Sequence, residues 1–281
     1  MAREVALATQ GNFDIQVFPN NTLAKLNEVP SAVRAGKAEA GETIMTSLVN
    51  DIPIAGADSV PFIVSTYADA KRMSRCQRPL LDRHFAERGL QVLYAVPWPP
   101  QGLYTNKPIV GAQDFKGARM RTYNPTTARI ASLLGANGVD VPMVEVGRAL
   151  AEGRIDSMIT SAVTGVENQV WDHVKYYYEI NAWFPKNVVF ASTKALDALQ
   201  PGQRQALMRA ADAAEARGWA ASEAAATQSV DELRRKGVKV ERVPRDFAVD
   251  LKRMGERFSL EWIRQVGPQA NDIFIPYFTQ S

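Results

Sequence analysis

"GARMRTYNPTTARIASLLGANG", residues 117–138, holds the change of pattern that sets the fold class. Residues 118–122 alternate in character, which predicts a strand of period two. Asn124 is a good helix cap and Pro125 suits the first helical turn, so the run from 125 to 134 reads as a helix. Strand, short turn and helix in succession are the building unit of an α/β sheet.

Working outward, the same alternation recurs. Strands are predicted at 13–18, 43–47, 90–96, 139–142, 155–161, 174–180, 188–192 and 238–243. Helices are predicted at 3–9, 28–35, 68–88, 144–152, 163–171, 202–236 and 247–265. "PWPPQGLYTNKPI", 97–109, reads as a connector able to pair in extended form. The 202–236 helix would be on the order of 50 Å long at 1.5 Å per residue. Gly218 marks a place where it could bend.

The whole chain has 281 residues, 46% of them hydrophobic, enough for one large or two modest cores. Basic residues number 33 and acidic ones 30, with no basic run, which argues against a nucleic-acid partner. Cys76 is the only cysteine, so neither an intrachain disulfide nor a cysteine metal cluster can form. No apolar run of about 18 residues predicts a membrane span. "AVRAGKAE", 32–39, and "ALAEGRID", 149–156, share a pattern and each leads into a strand with a Thr-Ser pair. Either this is chance with ordinary glycine capping, or one helix–Gly–strand unit serves each of two lobes.

No nucleophile assembles with a base and an orienting group, and HExxH, GxSxG, P-loop and GxGxxG patterns are missing. No cofactor and no metal are expected. His84, in a charged helix, and His173, near a helix end, read as edge and structural residues. Arg119 and Arg121 share one face of their strand. Arg121 lies nearest the carboxyl end, where open α/β sheets bind ligands and where helix N-termini favour anions. Its guanidinium suits a carboxylate through two charge-assisted bonds. A structural carboxylate or water would suit it equally on sequence grounds, and Arg119 is assigned to the surface. Trp98, in "VPWPP", and Trp183, in "NAWFPKN", stand at similar strand-to-connector junctions, either as core or as apolar walls of a cleft.

"FKGARMRTYN", "LGANGVDVPMVEVGRALAEGRID" and "WDHVKYYYEINAWFPKNVVFAS" resemble the substrate-binding subunits of tripartite ATP-independent periplasmic (TRAP) transporters, the DctP-like family. "VFPNNTLAK", "SVPFIV" and the long late helix extend the likeness over nearly the whole chain. The resemblance implies two α/β lobes with a central cleft, crossing hinge strands and a long spanning helix. It implies a monomeric, non-enzymatic periplasmic receptor that closes on a solute and delivers it to TRAP membrane subunits. Arg121 matches the family arginine that holds the ligand carboxylate. Trp98 and Trp183 would wall the cleft, with Thr160, Ser161, Asn187, Ser47 and Asn50 as hydrogen-bonding candidates. The lobes would comprise 1–97 with 188–227, and 98–187 with 228–281.

Three departures qualify the likeness. "GRIDSMITS" places Thr160 or Ser161 where sialic-acid-type members have asparagine, and "PWPPQGLY" lacks their second arginine. A smaller or more apolar acid is expected instead, such as an aromatic or branched monocarboxylate. "MAREVALATQGN" has neither a signal peptide nor the usual first strand, so a chain shortened at its N-terminus, with one sheet lacking that strand, is expected. The rival readings are an α/β enzyme acting on a small acid, a ligand sensor of the same fold, and a receptor for an amine.

Overall fold

Nine strands carry the architecture of the computed structural model, which describes residues 1–279. They are β1 (Ala40–Ile44), β2 (Leu90–Pro97), β3 (Gln101–Thr105), β4 (Arg119–Thr122), β5 (Asn137–Asp140), β6 (Ser157–Ser161), β7 (Tyr176–Tyr178), β8 (Lys186–Ser192) and β9 (Lys239–Glu241). The first sheet has the order β1-β8-β2 and is antiparallel throughout. A second sheet has the order β5-β4-β6-β3-β7-β9. There β4 runs parallel to both β5 and β6, while β3 is antiparallel to its neighbours β6 and β7. Strands β3 and β6 are buried at every position, as central strands covered on both faces must be.

The chain passes between the sheets three times, at residues 97–101, at 182–186 and through the long helix Pro201–Arg235. Trp98 N–H donates to Pro185 O at 2.7 Å, Gln101 N–H to Trp183 O at 3.1 Å and Ala182 N–H to Gln101 O at 2.9 Å. Pro99 and Pro100 have no N–H to add, so only flanking residues tie the crossing together. The second crossing also divides its aromatics. Trp183 packs in the second lobe's core and Phe184 in the first.

One 35-residue helix, Pro201–Arg235, spans both lobes. Trp219 enters the first core and donates its indole N–H to Ala95 O at 3.0 Å, while Leu233 is buried in the second lobe. The helix continues unbroken through Gly218. A Cβ there would lie 2.4 Å from Val96 Cγ2, so glycine permits close approach to β2.

The repeated octets prove to be built alike. Helix Val29–Arg34 precedes β1 and helix Val146–Ala151 precedes β6, with Gly36 and Gly153 at φ +73° and +66° between them. In both, the residue after glycine bonds back five positions: Lys37 N–H to Ala32 O at 2.9 Å, Arg154 N–H to Ala149 O at 2.8 Å. This is the ordinary glycine-dependent helix stop, which recurs where Ala136 N–H bonds to Ala131 O at 2.9 Å and Val238 N–H to Leu233 O at 3.0 Å.

Several expectations need correction. Residues 13–18 form no strand, because none pairs with them among the described residues and an unpaired extended segment leaves its backbone groups unsatisfied. Phe13 and Ile15 still pack against the cluster around Val5 and Leu207. The connector expected to be able to pair in extended form does pair, as β3, and stands at the centre of its sheet. A final helix, Gln269–Thr279, follows the 245–266 helix; Ala270, Ile273, Phe274 and Tyr277 bury in the first lobe's core, although the sequence groups them with the second. Lys186 and Asn187 likewise begin β8 of the first sheet rather than ending the second lobe.

Candidate functional site

The carboxyl ends of β4 and β6 and the start of antiparallel β3 meet beside the crossing. Arg121, third residue of β4, is 3% exposed. Its Nε donates to Val141 O at 2.9 Å and its guanidinium carbon lies 4.7 Å from the centre of the Tyr123 ring. Neither terminal nitrogen makes a hydrogen bond or ion pair among the described residues. Burial pulls its pKa down, against the favourable fields of Tyr123 and Asp140. A guanidinium nevertheless stays charged in any protein. Arg121 is therefore a buried cation with one hydrogen bond, an aromatic face and no counter-charge in contact.

Its surroundings are fixed by a relay of side chains. Tyr123 donates its hydroxyl to Gln101 Oε1 at 3.4 Å, with the Trp183 side chain close beside it. Burial raises the Tyr123 pKa to about 12, with Arg121 and Trp183 opposing the rise. Gln101 then donates from Nε2 to Pro99 O at 3.0 Å. The strand end is thereby joined to both crossing segments. Asn124 caps the next helix, Pro125–Leu133, accepting from Thr127 N–H at 2.8 Å.

The remaining candidates fall into distinct places. Trp183 is only 1% exposed and reaches the site through Tyr123 rather than as an open wall. Trp98 is 39% exposed and donates its indole N–H to Asn187 Oδ1 at 3.0 Å; Asn187 donates to Glu42 Oε1 at 2.8 Å. Thr160 is buried on β6, two residues past Met158, the partner of Arg121 in register, and so shares the arginine's face. The Ser161 hydroxyl is engaged as the cap of helix Ala162–Glu167, accepting from Thr164 N–H at 3.2 Å. Ser47 lies in the turn after β1, bonded to Ile44 O at 2.7 Å and to the Thr43 hydroxyl at 2.9 Å, and Asn50 is exposed nearby. Arg119 is a surface residue as expected, 51% exposed and paired with Asp156 at 3.1 Å.

Sequence reasoning missed Tyr123, Gln101 and a buried pair. Lys186 Nζ lies 3.7 Å from Asp58 Oδ2 and donates to Gln77 Oε1 at 3.0 Å. Asp58 also accepts from the Lys186 backbone N–H at 3.1 Å and from Ser59 at 3.1 Å. Tyr123 was legible in principle, lying two residues beyond Arg121 in "RTYNP". The Asp58–Lys186 pairing spans 128 residues and leaves no local signal.

Two lobes joined by paired crossings, with an unpaired cation buried beside them, define a solute-binding protein. The chain belongs to the bacterial extracellular solute-binding proteins, family 7 (DctP), whose family model matches residues 1–261. It is similar to DctP7 of Bordetella pertussis, an extracytoplasmic solute receptor binding pyroglutamic acid, with 37% identity, a TM-score of 0.91, and 99% of this chain and 92% of that one covered. DctP6 of the same organism, also binding pyroglutamic acid, gives 33% identity and a TM-score of 0.93 over 99% and 93% of the two chains. A marine metagenome TRAP solute-binding protein with co-purified pyroglutamate gives 33% and 0.90 over 99% and 92%. A solute-binding protein of Albidiferax ferrireducens is 25% identical, and this chain spans 62% of its length. These relatives are receptors rather than enzymes, which removes the enzymatic rival. No described helix is long and apolar enough to cross a membrane.

Proposed function

We propose that this chain is an extracytoplasmic, periplasmic receptor that closes on a small organic acid and delivers it to TRAP-type membrane subunits. The observation carrying this reading is Arg121, buried yet without a carboxylate partner. Burying a charge unpaired is costly, and a ligand carboxylate bonded to its two free terminal nitrogens would offset that cost. Trp98 and Asn187 face the ligand from the first lobe, Tyr123 and Thr160 from the second, and Trp183 braces Tyr123. Ser161 acts through its cap, and Ser47 and Asn50 lie at the first lobe's rim. The lobes pivot as monomeric units about residues 97–101 and 182–186, and a ligand touching both favours the closed form.

The ligand is a compact monocarboxylate. Three relatives at 33–37% identity bind pyroglutamate, a carboxylate on a small ring, which supports that acid ahead of an aromatic or branched one. The test is calorimetric titration with pyroglutamate, isovalerate, phenylacetate and glucuronate, repeated on Arg121→Ala. Pyroglutamate should bind most tightly and its heat should vanish in the variant. An undiminished titration in Arg121→Ala would refute the anchor. Tighter binding of phenylacetate or isovalerate would keep the anchor and replace the ring acid.

A further inference from the structure

A cavity of about 510 Å³ lies against the crossing segments, which contribute Pro99, Pro100 and Phe184 to its wall. Trp98 and Asn187 bond to each other, whereas their neighbours Pro99, Pro100 and Phe184 line this cavity. None of Arg121, Tyr123, Trp98 and Asn187 contributes to its wall. Its size falls within the range of small-molecule sites.

The lining combines an aromatic corner with excess negative charge. Tyr67 and Phe184 meet edge to face, with ring centres 5.0 Å apart, and the Tyr67 hydroxyl is held by Ser222 at 2.8 Å. Three carboxylates, Glu179, Glu223 and Asp231, face one guanidinium, Arg234. Arg234 bonds to Asp231 at 2.8 Å and lies 3.9 Å from Glu179. Glu223 has no ion pair among the described residues, although its field reaches Tyr67.

Tyr177 supplies an independent sign of a ligand. It is 2% exposed, lines the cavity, and its hydroxyl makes no hydrogen bond among the described residues. Its ring lies over Gly102, where any Cβ would collide with it, so the backbone of β3 has been kept bare to seat it. Burial, with Glu179 and Tyr67 nearby, pushes its pKa up, which keeps the hydroxyl intact as a donor and acceptor. The hydroxyl oxygen itself is not shut away from solvent, so it opens onto the cavity free to bond a ligand.

We propose that this cavity is a second ligand site, taking a small organic cation with one ammonium group on an apolar body. The ammonium sits between the Glu223 carboxylate and the Tyr177 hydroxyl oxygen, and the body lies against Tyr67, Phe184 and the two prolines. An organic acid is disfavoured by the net charge of the wall. A bare metal ion is disfavoured too, because no group of metal-ligating side chains forms among the described residues. The inference does not depend on Arg121 or on the acid it holds.

The experiment uses the full chain and phenethylammonium as the probe, with 2-phenylethanol as its uncharged counterpart, followed by calorimetry and by proton–nitrogen correlation spectra. Saturable binding of the ammonium, with shifted amides in the Ser65–Ala68 and Glu223–Arg234 segments, is expected, and the alcohol should bind at least about tenfold more weakly. Glu223→Gln should weaken the ammonium about tenfold and Tyr177→Phe about threefold, since the second loses one hydrogen bond and little packing. Arg121→Ala should leave amine binding unchanged. Absence of saturable binding at millimolar probe, equal binding of the alcohol, indifference to both cavity variants, or loss of binding in Arg121→Ala would each overturn the proposal. Unfolding midpoints for both cavity variants guard against misfolding as the cause of a loss.

Discussion

Two cations are buried near the lobe crossing, and their settings differ. Lys186, at the start of β8, is 2% exposed and meets Asp58 and Gln77. Arg121, at the end of β4, is 3% exposed and meets a carbonyl, an aromatic face and no anion. Burial pulls both pKa values down, but only Lys186 has a buried carboxylate opposing that pull from within ion-pair distance. Equal burial therefore marks two roles. A cation supplied with its own counter-charge fixes the fold; on the function proposed above, one left without it takes an anion from outside.

The comparison can be broken most forcefully at Lys186. Asp58→Ala leaves an ammonium buried without its partner and should cost about 3–5 kcal/mol of stability in urea unfolding. Replacing both, Asp58→Leu with Lys186→Met, should recover most of that loss, because two desolvation costs disappear together. If the single variant were as stable as the parent, the pair would not be structural. Arg121→Ala should act in the opposite sense. Stability should hold or rise, while affinity for pyroglutamate falls by about 2–5 kcal/mol, as when one partner of a buried charged contact is truncated. A large loss of stability would instead place Arg121 with Lys186 among the fold's own supports.

Arg121→Lys sharpens the same point at smaller scale. An ammonium keeps the charge but not the planar fork, so the expected loss is about tenfold in Kd, or about 1.4 kcal/mol. Equal affinity would mean that charge alone holds the acid.

The contrast also explains what the sequence disclosed. Arg121 was legible because strand ends and helix starts leave local marks: alternation at 118–122, then Asn124 and Pro125. Its lack of a counter-ion was not, since that depends on β5 and β6 arriving from elsewhere. Trp183 shows an alternative that the sequence left open, core or cleft wall. Its junction position is a local mark, but the side its ring takes depends on distant packing, and it lies in the second core. Residues 13–18 had the alternation of a strand and still formed none. Periodicity defines a face, whereas a strand requires a neighbour to bond with. Strand β3 was legible only as a connector able to pair: buried on both faces, it lacks alternation, and the two prolines before it hide its central place.

The smallest expected effect concerns the hydroxyl that positions the site. Tyr123 is held protonated up to about 12 by burial, against an ordinary value of 10.0. In the unfolded chain it would lose its proton near the ordinary value. Between those two pH values the folded state binds more protons, so stability must fall as pH rises across that window. Tyr123→Phe removes this contribution and leaves those of Tyr104 and Tyr177, which burial also shifts upward. The drop in urea midpoint between pH 9.5 and 11.5, approximately the lower part of the window set by the shift, should therefore be smaller in the variant than in the parent. The same variant should weaken pyroglutamate only modestly, by about 0.5–1.5 kcal/mol, because it loses the hydroxyl's contacts to Gln101 and Trp183 but keeps the ring beneath Arg121. An identical pH profile in parent and variant would show that the hydroxyl is open to water, and the relay from Arg121 to the crossing would then lack its middle link.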